Sequence, residues 1–328
     1  MKRNRRYDPN EKNDRVDTMG SNVYSAKDKE SVHNSLNGEF LLYQTLLREL
    51  LNENNSFQIK SSLLRKYFRP IDSNDKQVME EFDTEYKPDK AIHWYTRESC
   101  IYKILNKALR TQNIDDIMPF DQFIRDLNKQ LADEHGKFVK QQKTSTIQVY
   151  RGQLISIDEV NRLKTGKGQL LSINSFLSTS TNRQKALEFA TSRPPPNDKL
   201  TSILLEIKVD LQAICKPYAD IKHLSAFAEE EILFMFGCVF RIDNVVYDEN
   251  KKIWMGSFTV CSEKDSDYKA FNASLDNQVK EQNPFMSLGN YLIEMQKYNE
   301  AEEHYNEMLG YELVKCPFVS AYCYHGLA

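Results

Sequence analysis

The sequence predicts an α+β fold in which a helical lobe precedes a β-rich core. Two changes of texture along the chain carry that prediction. From residue 38 to 143 apolar residues recur at helical spacing, whereas from 144 to 262 short segments alternate polar and apolar residues in a β-branched and aromatic composition. A run of helices followed by a run of strands is the signature of α+β organisation rather than of alternating βα units. The chain of 328 residues is long enough for more than one domain, and its 40% hydrophobic content, with 17 Tyr and 17 Phe, supplies a sizeable core.

Residues 1–37 are polar and open with Lys2, Arg3, Arg5 and Arg6. Such a stretch buries too little apolar surface to offset chain entropy, and disorder is expected there. Phe40, Leu41, Tyr43, Leu46, Leu47, Leu50 and Leu51 are spaced as one helix face. A second segment covers 63–68 and stops at Pro70. An amphipathic helix is expected over 90–110, with Ile92, Tyr95, Ile101, Tyr102, Leu105 and Leu109 inward, and a fourth over 120–131. Strands are expected at 146–150, 170–177, 202–209, 232–242, 244–247 and 253–260. Thr181 with Gln184 reads as a capping box for a short helix ending near Ala190, where Arg193 and three prolines follow. Residues 263–280 read as a linker before a third texture at 281–328.

Several function classes are disfavoured at once. Lys and Arg number 44 against 47 Asp and Glu, for a formal charge of −3, so no basic excess speaks for nucleic-acid binding. No apolar run approaches the ~20 residues of a membrane span, and residues 1–13 lack the apolar core of a secretory signal. A cytoplasmic protein without membrane contact is expected. Cys100, Cys215, Cys238, Cys261, Cys316 and Cys323 show no CxxC spacing, so neither a zinc site nor a disulfide framework is expected; Cys215 and Cys238, among apolar neighbours, read as small core residues. Gly166-Lys167-Gly168 lacks the third glycine and the strand-to-helix frame of a dinucleotide fingerprint.

Three short stretches carry chemistry: Val149-Tyr150-Arg151-Gly152, Ser175-Phe176-Leu177-Ser178-Thr179-Ser180, and Phe227-Ala228-Glu229-Glu230-Glu231-Ile232-Leu233. Each begins or ends an expected strand. Arg151 offers a planar fork of donors suited to phosphate, with a glycine beside it that lets a ligand approach the backbone. Taken alone, it reads more readily as an edge-strand arginine in a surface ion pair. The hydroxyl cluster read alone is a turn and helix cap. Glu229 and Glu231 would share one face of a strand, and two like charges so arranged are costly enough to mark function; the bland alternative is a solvated charge run.

In this order the three stretches resemble the Arg–Ser–Glu class of mono-ADP-ribosyltransferases, the arginine-specific type. The flanks agree: Ala91-Ile92-His93-Trp94-Tyr95-Thr96 and Leu105-Asn106-Lys107-Ala108-Leu109-Arg110 look like the helix that precedes the arginine strand in that family. The resemblance covers residues 85–260 and implies an ADP-ribosyltransferase-like split β-sandwich with an N-terminal helical lobe. It also implies transfer of ADP-ribose from NAD, as co-substrate and without a metal, to an exposed arginine of a protein acceptor; the alternatives are an NAD glycohydrolase, with water in place of arginine, and a catalytically silent adaptor in which the repeats do the binding. Arg151 would then hold the NAD pyrophosphate and Gly152 the nicotinamide amide through its backbone. Ser178 would position the catalytic glutamate near the nicotinamide ribose, Glu231 would be that glutamate, and Glu229 would orient or deprotonate the acceptor guanidinium. Aromatic residues near Phe189 could touch nicotinamide, but packing as helix-face core is the expectation, and Phe227 could contact the acceptor or pack.

Phe285, Leu288, Gly289, Leu292, Ala301 and Tyr305 fall where a tetratricopeptide repeat places its aromatic, Leu-Gly, apolar, Ala and aromatic residues. This second resemblance implies an all-α segment at 281–328, with a second repeat beginning at Ala321, able to recruit a protein partner. One repeat cannot bury a continuous core alone. It would therefore dock on the preceding domain or open a longer array, and the longer array is the expectation.

Overall fold

The computed structural model describes residues 19–24, 36–51, 73–97, 99–112, 114–192, 195, 197–227 and 230–281, with isolated helical residues between 293 and 306. In chain order these form β1 (Ser21–Tyr24), α1 (Leu36–Leu50), α2 (Ser73–Glu85), α3 (Ala91–Thr96), α4 (Cys100–Thr111), α5 (Ile114–Ile117) and α6 (Asp121–Gln141). Then follow β2 (Thr146–Ser156), α7 (Ile157–Thr165), β3 (Leu170–Ile173), β4 (Leu177–Thr179), α8 (Arg183–Thr191), β5 (Leu200–Asp210), β6 (Tyr218–Asp220), β7 (Ile232–Phe234), β8 (Val239–Asp248), β9 (Ile253–Val260) and α9 (Ser266–Glu281).

The strands divide into two sheets, β1-β3-β8-β9-β5-β2 and β4-β7-β6. Every pairing is antiparallel except β5 with β9. A single bridge joins the sheets: Tyr150 on β2 exchanges two backbone hydrogen bonds with Ser180, just past β4, both 2.8 Å. The inner faces bury Val149, Ile155, Ile203, Leu205, Leu233, Phe234 and Phe258 in one core with the apolar faces of α4 and α6. The α+β architecture and the helical lobe expected from the sequence are therefore present in this region.

The lobe is pinned to the sheets by buried polar groups as well as by packing. Tyr43 on α1 donates its hydroxyl to the Asn174 carbonyl at 2.7 Å. Gln44 donates to Ser172 Oγ at 2.7 Å and accepts from Lys216 Nζ at 3.2 Å. Burial pushes Lys216 down to about 8, since the neutral amine is favoured away from water. On α6, His135 Nδ1 meets the Tyr218 carbonyl of β6 at 2.8 Å, with the two rings packed edge to face.

Several boundaries differ from the sequence expectation, each for a packing reason. The expected helix over 90–110 is two helices, because Arg97 turns extended (ψ 134°) to pair with Glu81 while its guanidinium covers the Trp94 ring. The expected strand at 170–177 breaks at 174–176, where Phe176 leaves the sheet to pack between Tyr95 and Phe236. The strand expected over 232–242 is split into β7 and β8 by a turn in which Gly237 takes φ 70°. Asn182, not Thr181, caps α8 by accepting from Lys185 N, and Gln184 instead bonds Glu188. A full capping box does exist one helix earlier, where Ser156 and Glu159 bond reciprocally at the start of α7.

Two segments expected to lack structure contain elements. Part of the 1–37 stretch is β1, which pairs with β3 and seats Tyr24 against Phe40 and Phe271. The expected linker at 263–280 is mostly α9, whose Phe271 and Leu275 are buried with Phe40, Leu41, Leu170 and Val239. The segment at 63–70 lies outside the described residues, as do Phe285, Leu288, Gly289, Leu292 and the second repeat from Ala321. Of the tetratricopeptide positions, Ala301 and Tyr305 are described and are buried with the main core. No helix among the described residues is long and apolar enough to cross a membrane. Cys238 is buried and Cys215 half-buried, and burial pushes the Cys215 thiol up to about 12.

Candidate active site

The site is built where the free edge of β2 meets the small sheet. Side chains alternate along β2. Val149 and Ile155 point into the main core, and Arg151 and Gln153 share their face, whereas Tyr150 and Gly152 face α8. Arg151 is thus carried on the core-facing side of a strand that has only one paired neighbour, β5. Its Nη1 donates to the Ser178 carbonyl on β4 at 2.9 Å, and its Nε donates to Gln153 Oε1 at 2.8 Å. Among the described residues no carboxylate pairs with Arg151. The surface ion pair that this arginine could have signified is not formed with any described residue.

β4 and β7 fix the other two motifs. Ser178 stands opposite Leu233 and Thr179 opposite Ile232, so the next step of that register sets Ser180 opposite Glu231. Ser178, Ser180 and Glu231 then lie on one face, with Ser178 diagonal to Glu231 and within reach of its long side chain. Thr179, on the opposite face, is buried and locks the pairing by donating Oγ1 to the Ile232 carbonyl at 2.8 Å. The half-buried Ser178 hydroxyl and Glu231 carboxylate make no hydrogen bond or ion pair with described residues. A cation with no carboxylate partner among the described residues, a hydroxyl and a carboxylate therefore converge at the seam between the sheets. Glu229 lies outside the described residues, as does Ala228.

The loop that delivers Glu231, residues 221–231, is tied down at several points. Ile221 N donates to the Glu231 carbonyl at 3.0 Å, closing the loop at its base. Ala226 N donates to the buried Thr96 Oγ1 of α3 at 2.9 Å. His223 Nε2 lies 3.0 Å from Glu134 Oε2 on α6, and Lys222 pairs with Glu230 at 3.6 Å. Tyr95, next to Thr96, is buried against Tyr102 and Phe176. Burial raises its hydroxyl well above the usual tyrosine range, with the nearby Glu231 charge raising it and Arg151 lowering it. Phe227 is half-buried. Phe189, expected in the core, is instead 67% exposed on the outer side of α8. The alanines Ala186 and Ala190 are the α8 residues that meet β2.

Gly152 has a role that sequence reasoning did not see. A Cβ there would collide with the Ala186 carbonyl oxygen and stand 2.8 Å from Ala190 N and 2.9 Å from Ala190 Cβ. The glycine is therefore required for α8 to lie flat on β2. Because Tyr150 directs its N–H and C=O to Ser180, strand alternation directs those of Gly152 to the same open edge. Gln153 was also missed. It is 7% exposed, its oxygen is held by Arg151, and its Nε2 has no partner among the described residues. An unpaired buried amide donor costs about 1–3 kcal/mol.

A family model described as ADP-ribosyltransferase exoenzyme matches residues 51–259. No curated protein matches the chain significantly. Among solved structures, the chain is similar to Plx2a, an ADP-ribosyltransferase toxin from Paenibacillus larvae, at 19% identity over 63% of this chain and 99% of that one, TM-score 0.40. It is also similar to Vis toxin, an ADP-ribosyltransferase from Vibrio splendidus, at 20% identity over 66% and 91%, TM-score 0.39. Exoenzyme S from Pseudomonas aeruginosa, solved bound to carba-NAD, matches at 15% identity over 61% and 86%, TM-score 0.38. Among the described residues no group of His, Cys, Asp and Glu could hold a metal ion.

Proposed function

Because the chain belongs to the ADP-ribosyltransferase exoenzyme family, whose enzymes use NAD as co-substrate and act on protein acceptors, we propose that it transfers ADP-ribose to an arginine side chain of a protein. The observation that carries this reading is the hydrogen bond from Arg151 Nη1 to the Ser178 carbonyl, which gathers two of the three motifs across the seam that Glu231 enters from β7.

The roles follow from the chemistry of the groups. The Arg151 guanidinium binds the pyrophosphate, and the outward N–H and C=O of Gly152 suit the nicotinamide carboxamide. Glu231 accepts a hydrogen bond from the 2′-hydroxyl of the nicotinamide ribose, and the Ser178 hydroxyl orients that carboxylate. As the bond from C1′ to nicotinamide breaks, its electron pair leaves with nicotinamide and positive charge develops on the ribose, which the Glu231 carboxylate stabilises. A guanidinium nitrogen of the acceptor forms the new bond to C1′ and gives up its proton, with Glu229 as the accepting base. A tetratricopeptide array opening at residue 281 would bring the protein substrate to this site in the cytoplasm.

The test is nicotinamide release from NAD, measured with and without agmatine as an arginine mimic. Release stimulated by agmatine, with formation of ADP-ribosyl-agmatine, is expected, and Glu231→Gln should abolish it. Glu229→Gln should remove transfer to agmatine while sparing part of the NAD hydrolysis. Release indifferent to agmatine would overturn arginine as the acceptor and leave a glycohydrolase or another acceptor.

A further inference from the structure

Arg151 is held by two acceptors. Its Nε donates to Gln153 Oε1 and its Nη1 to the Ser178 carbonyl, while Nη2 has no partner among the described residues. The guanidinium is planar, so acceptors at Nε and Nη1 together fix its plane and leave the Nη2 corner uncommitted. One of those acceptors is main chain and belongs to β4. The other is a side chain, and its type is not dictated by burial: Gln153 sits between Arg151 and Ile155 on the face of β2 that fills the core.

An apolar residue would suit that position better. The Gln153 amide cannot turn round to satisfy itself, because arginine only donates and so demands the amide oxygen. The Nε2 donor is consequently left buried without a partner among the described residues. A cost of this kind, next to a cation that no described carboxylate neutralises, calls for an explanation. A glutamate here would hold Arg151 more strongly but would cancel the charge offered to a phosphate; glutamine holds it and leaves the charge intact.

We propose that Gln153 is a positioning residue of the dinucleotide site, orienting the Arg151 guanidinium to receive the NAD pyrophosphate without neutralising it. The inference rests on the transferase reading above. Gln153→Met keeps the length of the side chain and removes the acceptor. It should raise KM for NAD in nicotinamide release about tenfold and leave kcat within about twofold, because the pyrophosphate is remote from the bond that breaks. Its melting temperature should not fall, since the unpaired amide is gone. In an Arg151→Ala background the same substitution should change kcat/KM by less than about twofold, because the group it acts through is absent. Gln153→Leu serves as a second acceptor-free variant with the same expectation. A wild-type KM in both variants, or a tenfold loss that persists without Arg151, would overturn the proposal while leaving the transferase reading standing. A wild-type chain that neither binds NAD nor releases nicotinamide would overturn both.

Discussion

Replacing Gly152 with alanine separates two meanings of a glycine beside the arginine proposed to bind NAD. The added methyl group would collide with the Ala186 carbonyl oxygen and stand within 2.9 Å of Ala190 Cβ. Two of the three opposing atoms are main chain, so no rotamer change relieves the collision and α8 must lift from β2. Overpacking a closed contact costs about 1–3 kcal/mol, and a collision with a carbonyl oxygen belongs at the top of that range. For a domain of this size, about 3 kcal/mol corresponds to a fall of roughly 6–12 °C in melting temperature. Urea and thermal denaturation of Gly152→Ala, followed by far-ultraviolet circular dichroism, measure it. Ala190→Gly should not rescue the variant, because the Ala186 carbonyl remains in the way. A loss of stability below about 1 kcal/mol, or full rescue by Ala190→Gly, would refute the packing argument. Loss of nicotinamide release would then belong to the ligand-facing backbone of Gly152 alone.

Further outcomes follow from the same geometry. Glu231→Gln should change stability by less than about 0.5 kcal/mol, because the carboxylate has no partner among the described residues, so its loss of activity would be chemical and not structural. Thr96→Val leaves Ala226 N without its acceptor; it should cost about 1 kcal/mol and lower transfer to agmatine more than NAD hydrolysis, as the 221–231 loop loosens. Burial pushes the Asp121 carboxyl up to about 6, above its ordinary value near 4. The folded state therefore binds the proton more tightly, and this group's contribution to stability is present below about pH 4 and lost as pH rises through about 6. Asp121→Asn should remove that slope when denaturation midpoints are compared between pH 4.5 and 7.5; an unchanged difference from wild type across the range would show that Asp121 does not titrate there.

The motifs were legible because each is a contiguous string beside an apolar run, although β2 continues to Ser156 and so carries Arg151 in mid-strand and not at the strand end expected near residue 150. Arg151, Ser178 and Glu231 follow or precede apolar runs whose alternation marks them as strands before any contact is known. The long strands β2, β5 and β9 were legible for the same reason. Elements whose stability comes from elsewhere were not. α2 is largely charged along its length and shows little beyond Val78 and Phe82 to hold it, and β6 is only three residues long. β1 and α9 lie in polar stretches, and each depends on the other through Tyr24, Phe40 and Phe271.

By itself the sequence determined the succession of a helical lobe and a strand-rich core, the family, and which cation, hydroxyl and carboxylate stand beside apolar runs, because periodicity and short motifs are local properties of a chain. Tertiary structure decided how those groups are used. That Ser178 offers its carbonyl to Arg151 depends on a bridge between residues 150 and 180. That Gly152 is required under α8 depends on a helix more than thirty residues later, and that Gln153 orients Arg151 depends on which face of β2 is buried. Each is a contact between segments whose distance in space is unrelated to their distance along the chain, and it exists only once the two sheets have closed on one core.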